Sequence, residues 1–137
     1  MTDYQSFISH KVSQSINAES ICLSTDDLNP KLYSFQRDIV RWALAKGRAA
    51  VFADCGLGKT PMQLEWASQV YAHKGGMVLI LAPLAVSSQT VAEGIKFGIE
   101  VTLCEKAEDL KPGINITNYE KLEKFAGCKF SGVVLDE

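Results

Sequence analysis

The sequence predicts an α/β domain built around a mainly parallel sheet, and three features point to it. Short, wholly apolar runs at Ala49–Ala53 and Met77–Ala82 read as strands covered on both faces. Stretches of helical periodicity alternate with these runs, as crossover connections require. A glycine-bearing loop, Ala53-Asp54-Cys55-Gly56-Leu57-Gly58-Lys59-Thr60, joins the first run to the next helix. At 137 residues the chain is one domain or part of one.

Residues 1 to 30 are polar and weakly periodic, with Tyr4, Phe7, Ile8 and Val12 on one side of a short helix. Ser24 to Pro30 reads as a turn or linker, so this segment is expected to be an N-terminal arm. From Lys31 the pattern becomes regular. Phe35, Ile39, Trp42 and Ala43 form an apolar helical stripe, and Gly47 stands where a C-terminal cap belongs. A second helix is expected from Lys59 to His73, with Leu64, Ala67, Val70 and Tyr71 inward. Pro61 is acceptable there because the first helical turn has no amide partner to lose. Trp42 and Trp66, at helical spacing among apolar neighbours, read as core.

Met77 to Ala82 is a buried strand closed by Pro83, and a helix from Val86 to Phe97 ends at Gly98. Glu100 to Leu103 is a strand of alternating character, Pro112-Gly113 a turn, and Ile114 to Thr117 a short strand. Tyr119 to Phe125 is a short helix, and Gly132 to Leu135 a last strand before Asp136-Glu137.

Composition excludes several classes. Fourteen basic residues against 16 acidic ones give a net charge of −2, which rules out a uniformly basic nucleic-acid binder but leaves room for a local basic face. Lys31 to Lys59 is such a stretch, with six basic residues and two acidic. Arg37, Arg41 and Lys46 there face either phosphate or solvent. No apolar run approaches the ~20 residues of a membrane-spanning helix, and the start lacks the plan of a signal peptide. Cys22, Cys55, Cys104 and Cys128 form no Cys-x-x-Cys pair, so they read as small buried hydrophobes in a reducing cytoplasm rather than a metal site.

The chemistry concentrates in three places. Gly56 and Gly58 let the loop backbone bend and approach a ligand closely. Amides at the loop and helix start then point at phosphate oxygens, assisted by the helix dipole. Lys59 would neutralise the β- and γ-phosphates, and Thr60 would offer its hydroxyl to Mg²⁺. Val133-Val134-Leu135-Asp136-Glu137 is an apolar strand ending in two acids. Asp136 suits Mg²⁺, in part through water, and Glu137 suits a general base or an orienting group for water. Gln36, upstream of Lys59, reads by itself as an exposed helix glutamine.

Taken in order, these residues resemble superfamily 2 helicases, most closely the Snf2-like branch of phage and prophage proteins. The resemblance covers Tyr33 to Glu137. Gln36 matches the glutamine that reads adenine, and Gly56-Leu57-Gly58-Lys59-Thr60 matches motif I, with Ala53 where the strict pattern has a glycine. Leu79-Ile80-Leu81-Ala82-Pro83 matches motif Ia, and Ile116-Thr117-Asn118-Tyr119-Glu120 resembles the motif Ib region. Asp136-Glu137 matches motif II. The resemblance implies a three-layer RecA-like lobe, incomplete at its C-terminal end, that binds ATP and Mg²⁺. Gln36, Gly56, Leu57, Gly58, Lys59 and Thr60 would hold the nucleotide. Thr60 and Asp136 would hold the metal, and Lys59, Asp136 and Glu137 would serve hydrolysis. DNA backbone contacts are implied near Pro83, Ser87, Ser88, Gln89 and Thr90.

A family member continues beyond motif II with a motif III strand and a second lobe carrying an arginine finger. The expectation is therefore the N-terminal part of a cytoplasmic DNA-dependent ATPase, a helicase or duplex translocase, itself hydrolysing ATP negligibly. Three other readings stand beside it. One is a truncated phage protein acting as a non-enzymatic binding module. The others are a small P-loop kinase and a segment fused to a methyltransferase, though no residue here speaks for methyl transfer.

Overall fold

The structure, a computed structural model, describes residues 20–47 and 59–136. The expected N-terminal helix, the Ala49–Ala53 strand, the loop residues Gly56, Leu57 and Gly58, and Glu137 lie outside the described residues. The chain divides into two compact units, Met1–Leu57 and Gly58–Glu137.

In the first unit, helix α1 (Ser34–Lys46) ends at Gly47, whose φ of 80° is the left-handed turn expected of a helix cap. Its buried stripe is Gln36, Val40, Ala43 and Leu44. The sequence stripe of Phe35, Ile39, Trp42 and Ala43 is therefore corrected by one position. Phe35 and Trp42 are 43% and 47% exposed, so Trp42 is not core. Phe35 instead stacks on Tyr33, with ring centroids 6.1 Å apart and planes 10° from parallel. The expected linker at Ser24–Pro30 carries a single 3-10 turn, Thr25–Asp27, and Leu28 after it is buried. Ile21 donates its backbone N–H to Leu44 O at 2.8 Å, and the Ser20 hydroxyl donates to Ala45 O at 2.6 Å. Those bonds tie the segment to the C-terminal end of α1. Cys22 is exposed, against the expectation that the cysteines are buried.

The second unit is α/β. Helix α2 (Lys59–Lys74) is followed by β1 (Met77–Leu81), α3 (Leu84–Lys96), β2 (Val101–Leu103), β3 (Gly113–Thr117) and β4 (Gly132–Leu135). The four strands form one parallel sheet in the order β2-β3-β1-β4, an arrangement compatible with an incomplete RecA-like lobe. The central strands β1 and β3 are buried almost throughout, as the unbroken apolar character of β1 requires. Val78 pairs with Ile114 on one side and Gly132 on the other, and Leu81 with Thr117 and Leu135. β3 differs from a plain apolar run in carrying Asn115, which is fully buried. Its amide donates to Lys111 O at 2.9 Å, and its Oδ1 accepts from Lys111 N at 3.0 Å. The side chain thus takes over the ladder role for a stretch of chain that has left the sheet.

Helix α2 buries Leu64, Ala67 and Val70 as expected, together with Met62 and Glu65, while Tyr71 is 40% exposed rather than inward. Gly75 and Gly76, at φ 68° and 72°, reverse the chain from α2 into β1, a turn that side chains rarely permit. Helix α3 starts directly after Pro83, two residues earlier than the sequence suggests, and packs closely on β2 through Gly94. A Cβ at Gly94 would stand 2.6 Å from the Ile99 carbonyl oxygen. The segment Tyr119–Phe125 is a 3-10 helix capped by Asn118, whose Oδ1 accepts from Lys121 N at 3.1 Å.

Candidate functional site

Lys59 and Thr60 open α2, and Asp136 directly follows β4. The later turns of α2 lie over the amino ends of the strands. A Cβ at Gly132, which opens β4, would meet Trp66 at 3.0 Å and Val70 at 3.1 Å. One at Gly113, which opens β3, would meet Tyr71 at 3.9 Å. The helix therefore runs antiparallel to the strands. From Trp66 back to Lys59 is about 10 Å at 1.5 Å per residue. From Gly132 on to Asp136 is about 13 Å at 3.3 Å per residue. Both ends arrive at the carboxyl edge of the sheet, the edge where parallel α/β folds place ligands.

Asp136 is 8% exposed. Its backbone N–H donates to Leu81 O at 2.8 Å, which extends the β1–β4 ladder by one bond beyond the strand. Its backbone carbonyl accepts the Tyr119 hydroxyl at 2.7 Å. Both bonds hold the main chain and leave the carboxylate unused. Among the described residues, that carboxylate has neither an ion pair nor a hydrogen bond. A carboxylate at this edge, free of other partners among the described residues, suits a cation. Thr60, half-buried in the first turn of α2, supplies the hydroxyl such a site needs. Lys59 is likewise half-buried and makes no ion pair among the described residues.

Gln36 belongs to the other unit. It is 4% exposed rather than the exposed glutamine that its isolated reading gives. Its Oε1 accepts the Tyr33 backbone N–H at 2.9 Å, so it caps the start of α1. Arg37 is half-buried, and Arg41 and Lys46 are exposed.

A second constellation sits at the same sheet edge as Asp136. Ser87 and Ser88 of α3, Cys104 and Glu105 after β2, and Thr117 and Lys121 at the end of β3 line a cavity of about 120 Å³. Ser87 is 3% exposed and donates its hydroxyl to Pro83 O at 3.3 Å, while Ser88 and Gln89 are exposed. The Thr90 hydroxyl turns back to Val86 O at 3.1 Å and is buried. Thr117 is 1% exposed, and its Oγ1 has no hydrogen-bond partner. Lys121 Nζ lies 3.3 Å from Glu105 at the rim. Burial, and then the nearby Asp109 carboxylate, push the Cys104 thiol up to about 11.

The structure thus places Lys59, Thr60 and Asp136 at one edge of one sheet, with Ser87 and Ser88 in a cavity there. Sequence reasoning passed over Glu105 and Lys121, which have no motif to mark them. It also gave Tyr119 no role of its own. No protein-family model matches the chain, and no curated protein matches it.

Proposed function

We propose that this chain is the N-terminal, ATP-binding part of a DNA-dependent ATPase, a Snf2-like helicase or translocase. The observation that carries the reading is the meeting of two elements at the carboxyl edge of a parallel sheet. One is the first turn of a helix that opens with Lys59-Thr60, and the other is a strand that leads directly into Asp136. A helix start with a lysine attracts a polyphosphate, and an acid beside it attracts the divalent cation that the polyphosphate brings.

In this reading Lys59 holds the β- and γ-phosphates, and Thr60 and Asp136 hold Mg²⁺. Mg²⁺, when bound, supplies charge neutralisation at the phosphates. Glu137 follows Asp136 in sequence and orients water. Gln36 selects adenine, and Gly56, Leu57 and Gly58 offer backbone N–H groups. The cavity lined by Ser87, Ser88 and Thr117 receives a DNA phosphate. The exposed Ser88 hydroxyl and the Lys121 ammonium group on its lining suit an anion. Hydrolysis at a useful rate needs transition-state charge stabilisation from a second lobe.

The test is binding of a fluorescent ATP analogue to the 137-residue chain, with and without Mg²⁺. Lys59→Ala should weaken binding at least about tenfold, the loss of one charge-assisted contact. Asp136→Asn should remove the Mg²⁺ dependence while leaving a metal-free residue of affinity. A Lys59→Ala chain that binds as the wild type does would overturn the assignment.

A further inference from the structure

Helix α1 presents an apolar side to solvent. Phe35, Ile39 and Trp42 follow one another at i, i+4 and i+7, so they share one side of the helix. Phe35 and Trp42 are each nearly half exposed, and Tyr33, stacked on Phe35, is 71% exposed. The buried stripe of Gln36, Val40, Ala43 and Leu44 lies on another side. Exposed aromatic rings aligned along one helix form a contiguous apolar patch, and such a patch marks a contact. Asp38, exposed beside the patch and the one acid in α1, makes no ion pair among the described residues.

The chain N-terminal to the described residues leaves from beside this patch. Ser20 and Ile21 are bonded to Ala45 O and Leu44 O. Residues 1–19 therefore depart from the C-terminal end of α1, less than about one turn beyond Trp42. Met1–Leu57 is one compact unit, so this arm belongs with α1. Its sequence repeats the spacing of the patch. Tyr4, Ile8 and Lys11 stand at i, i+4 and i+7, and Phe7 and Val12 fall on the same side of the helix that the periodicity predicts. Tyr4 to Lys11 spans about 10 Å along a helix, as does Phe35 to Trp42. Residues 13–19 reach about 23 Å when extended, enough for an arm helix to run with α1 or against it. Matching the two stripes end to end sets Lys11 level with Trp42 in one sense and with Phe35 in the other. Either way it stands about one turn or less from Asp38 along the axis. The one charge on the apolar side of the arm thus meets the one acid beside the patch.

We propose that residues 4–12 form a helix that docks on the Phe35–Ile39–Trp42 side of α1, with Lys11 paired to Asp38. The occupant of the patch is the N-terminal arm of the same chain. Removal of the aromatic rings from water drives the docking, and the ion pair fixes register while adding little. The inference stands apart from the function proposed above, since it uses neither nucleotide nor any residue of the Lys59–Asp136 edge.

The experiment is hydroxyl-radical footprinting of the 137-residue chain, read by mass spectrometry at Trp42 and Phe35 against Trp66. Wild type is compared with Phe7→Ser/Ile8→Ser, and with Ser6→Ala/Ser13→Ala, which alters the opposite side of the arm. Modification of Trp42 and Phe35 should rise at least about twofold in the Phe7/Ile8 variant, as the rings return to water. It should stay at the wild-type level in the serine variant. Equal reactivity of Trp42 in wild type and the Phe7/Ile8 variant overturns the proposal. Should that variant unfold, the decision passes to a measurement on the unaltered chain. Carbodiimide coupling of an equal mixture of isotopically light and heavy chains should join Lys11 to Asp38 in peptides of a single isotope. Absence of that cross-link overturns the proposal. Mixed-isotope peptides overturn it too, because they assign the patch to a second copy of the chain.

Discussion

Gln36 Oε1 accepts the backbone N–H of Tyr33 at 2.9 Å, so a side chain expected to read a base is already engaged in capping its own helix. An amide carries both an acceptor oxygen and a donor nitrogen, so capping by the oxygen and reading of a base are distinct demands on it. The two roles separate by substitution. Gln36→Ala loses the cap and should destabilise the chain by about 1 kcal/mol, seen as a lower urea midpoint. Gln36→Glu keeps an acceptor for Tyr33 and removes the amide donor. It should keep most of that stability while losing discrimination of ATP from GTP in a competition assay. Equal losses in both measurements for the two variants would confine Gln36 to the cap.

Thr117 presents the opposite case, a group whose removal should help the isolated protein. Its Oγ1 is buried without a partner, and such a hydroxyl costs about 1–3 kcal/mol. Thr117→Val preserves the branched shape. It should raise the unfolding free energy by about 1 kcal/mol in denaturant titrations. A variant less stable than the wild type would mean that the hydroxyl is satisfied in solution.

Gly94 tests the packing of α3. Its missing Cβ leaves room for the Ile99 carbonyl, which would lie 2.6 Å from an added methyl group, and for Val101 Cγ2 at 3.1 Å. The carbonyl is backbone, in a residue whose N–H donates to Gly94 O at 2.8 Å, and cannot swing aside as a side chain can. Gly94→Ala should therefore cost about 1–3 kcal/mol, despite alanine's better helix propensity. Gly132→Ala meets the Trp66 ring and Val70, which are side chains that can shift, and should cost less. Thermal unfolding of the two variants side by side gives the order.

Cys104 predicts a dependence on alkaline pH. Burial and Asp109 raise its thiol from 9.0 to about 11, so the folded chain keeps a proton that the unfolded chain has lost in that interval. The stabilising contribution is whole below pH 9 and is lost as pH rises toward 11. Wild type should exceed Cys104→Ala in stability by a margin that shrinks across this window in denaturant titrations. In the native chain at pH 8, iodoacetamide should modify exposed Cys22 well before buried Cys104.

The strands were legible because burial on both faces writes itself as unbroken apolar sequence, as at Met77–Leu81. The faces of the helices were less so. Phe35 and Trp42 are large and apolar, and the stripe drawn through them missed the true one by a single position. The true stripe contains Gln36, a polar residue that is buried because it bonds the backbone. Asn115 is the same lesson inside a strand: its amide serves Lys111, a contact that no periodicity encodes. At the candidate site, Lys59, Thr60 and Asp136 stand out because a glycine loop and a strand end frame them. Lys121 and Glu105 do not, because they meet only after β2 and β3 have paired.

The strand order carries a consequence for how the protein is made. β1 finds its two neighbours in β3 and β4, both far downstream, and neither the preceding helix nor the following one supplies a ladder partner. During synthesis at roughly 5–20 residues per second, Met77–Leu81 leaves the ribosome seconds before Gly132–Leu135 exists. For that interval a buried-type apolar pentapeptide waits without its ladder partners.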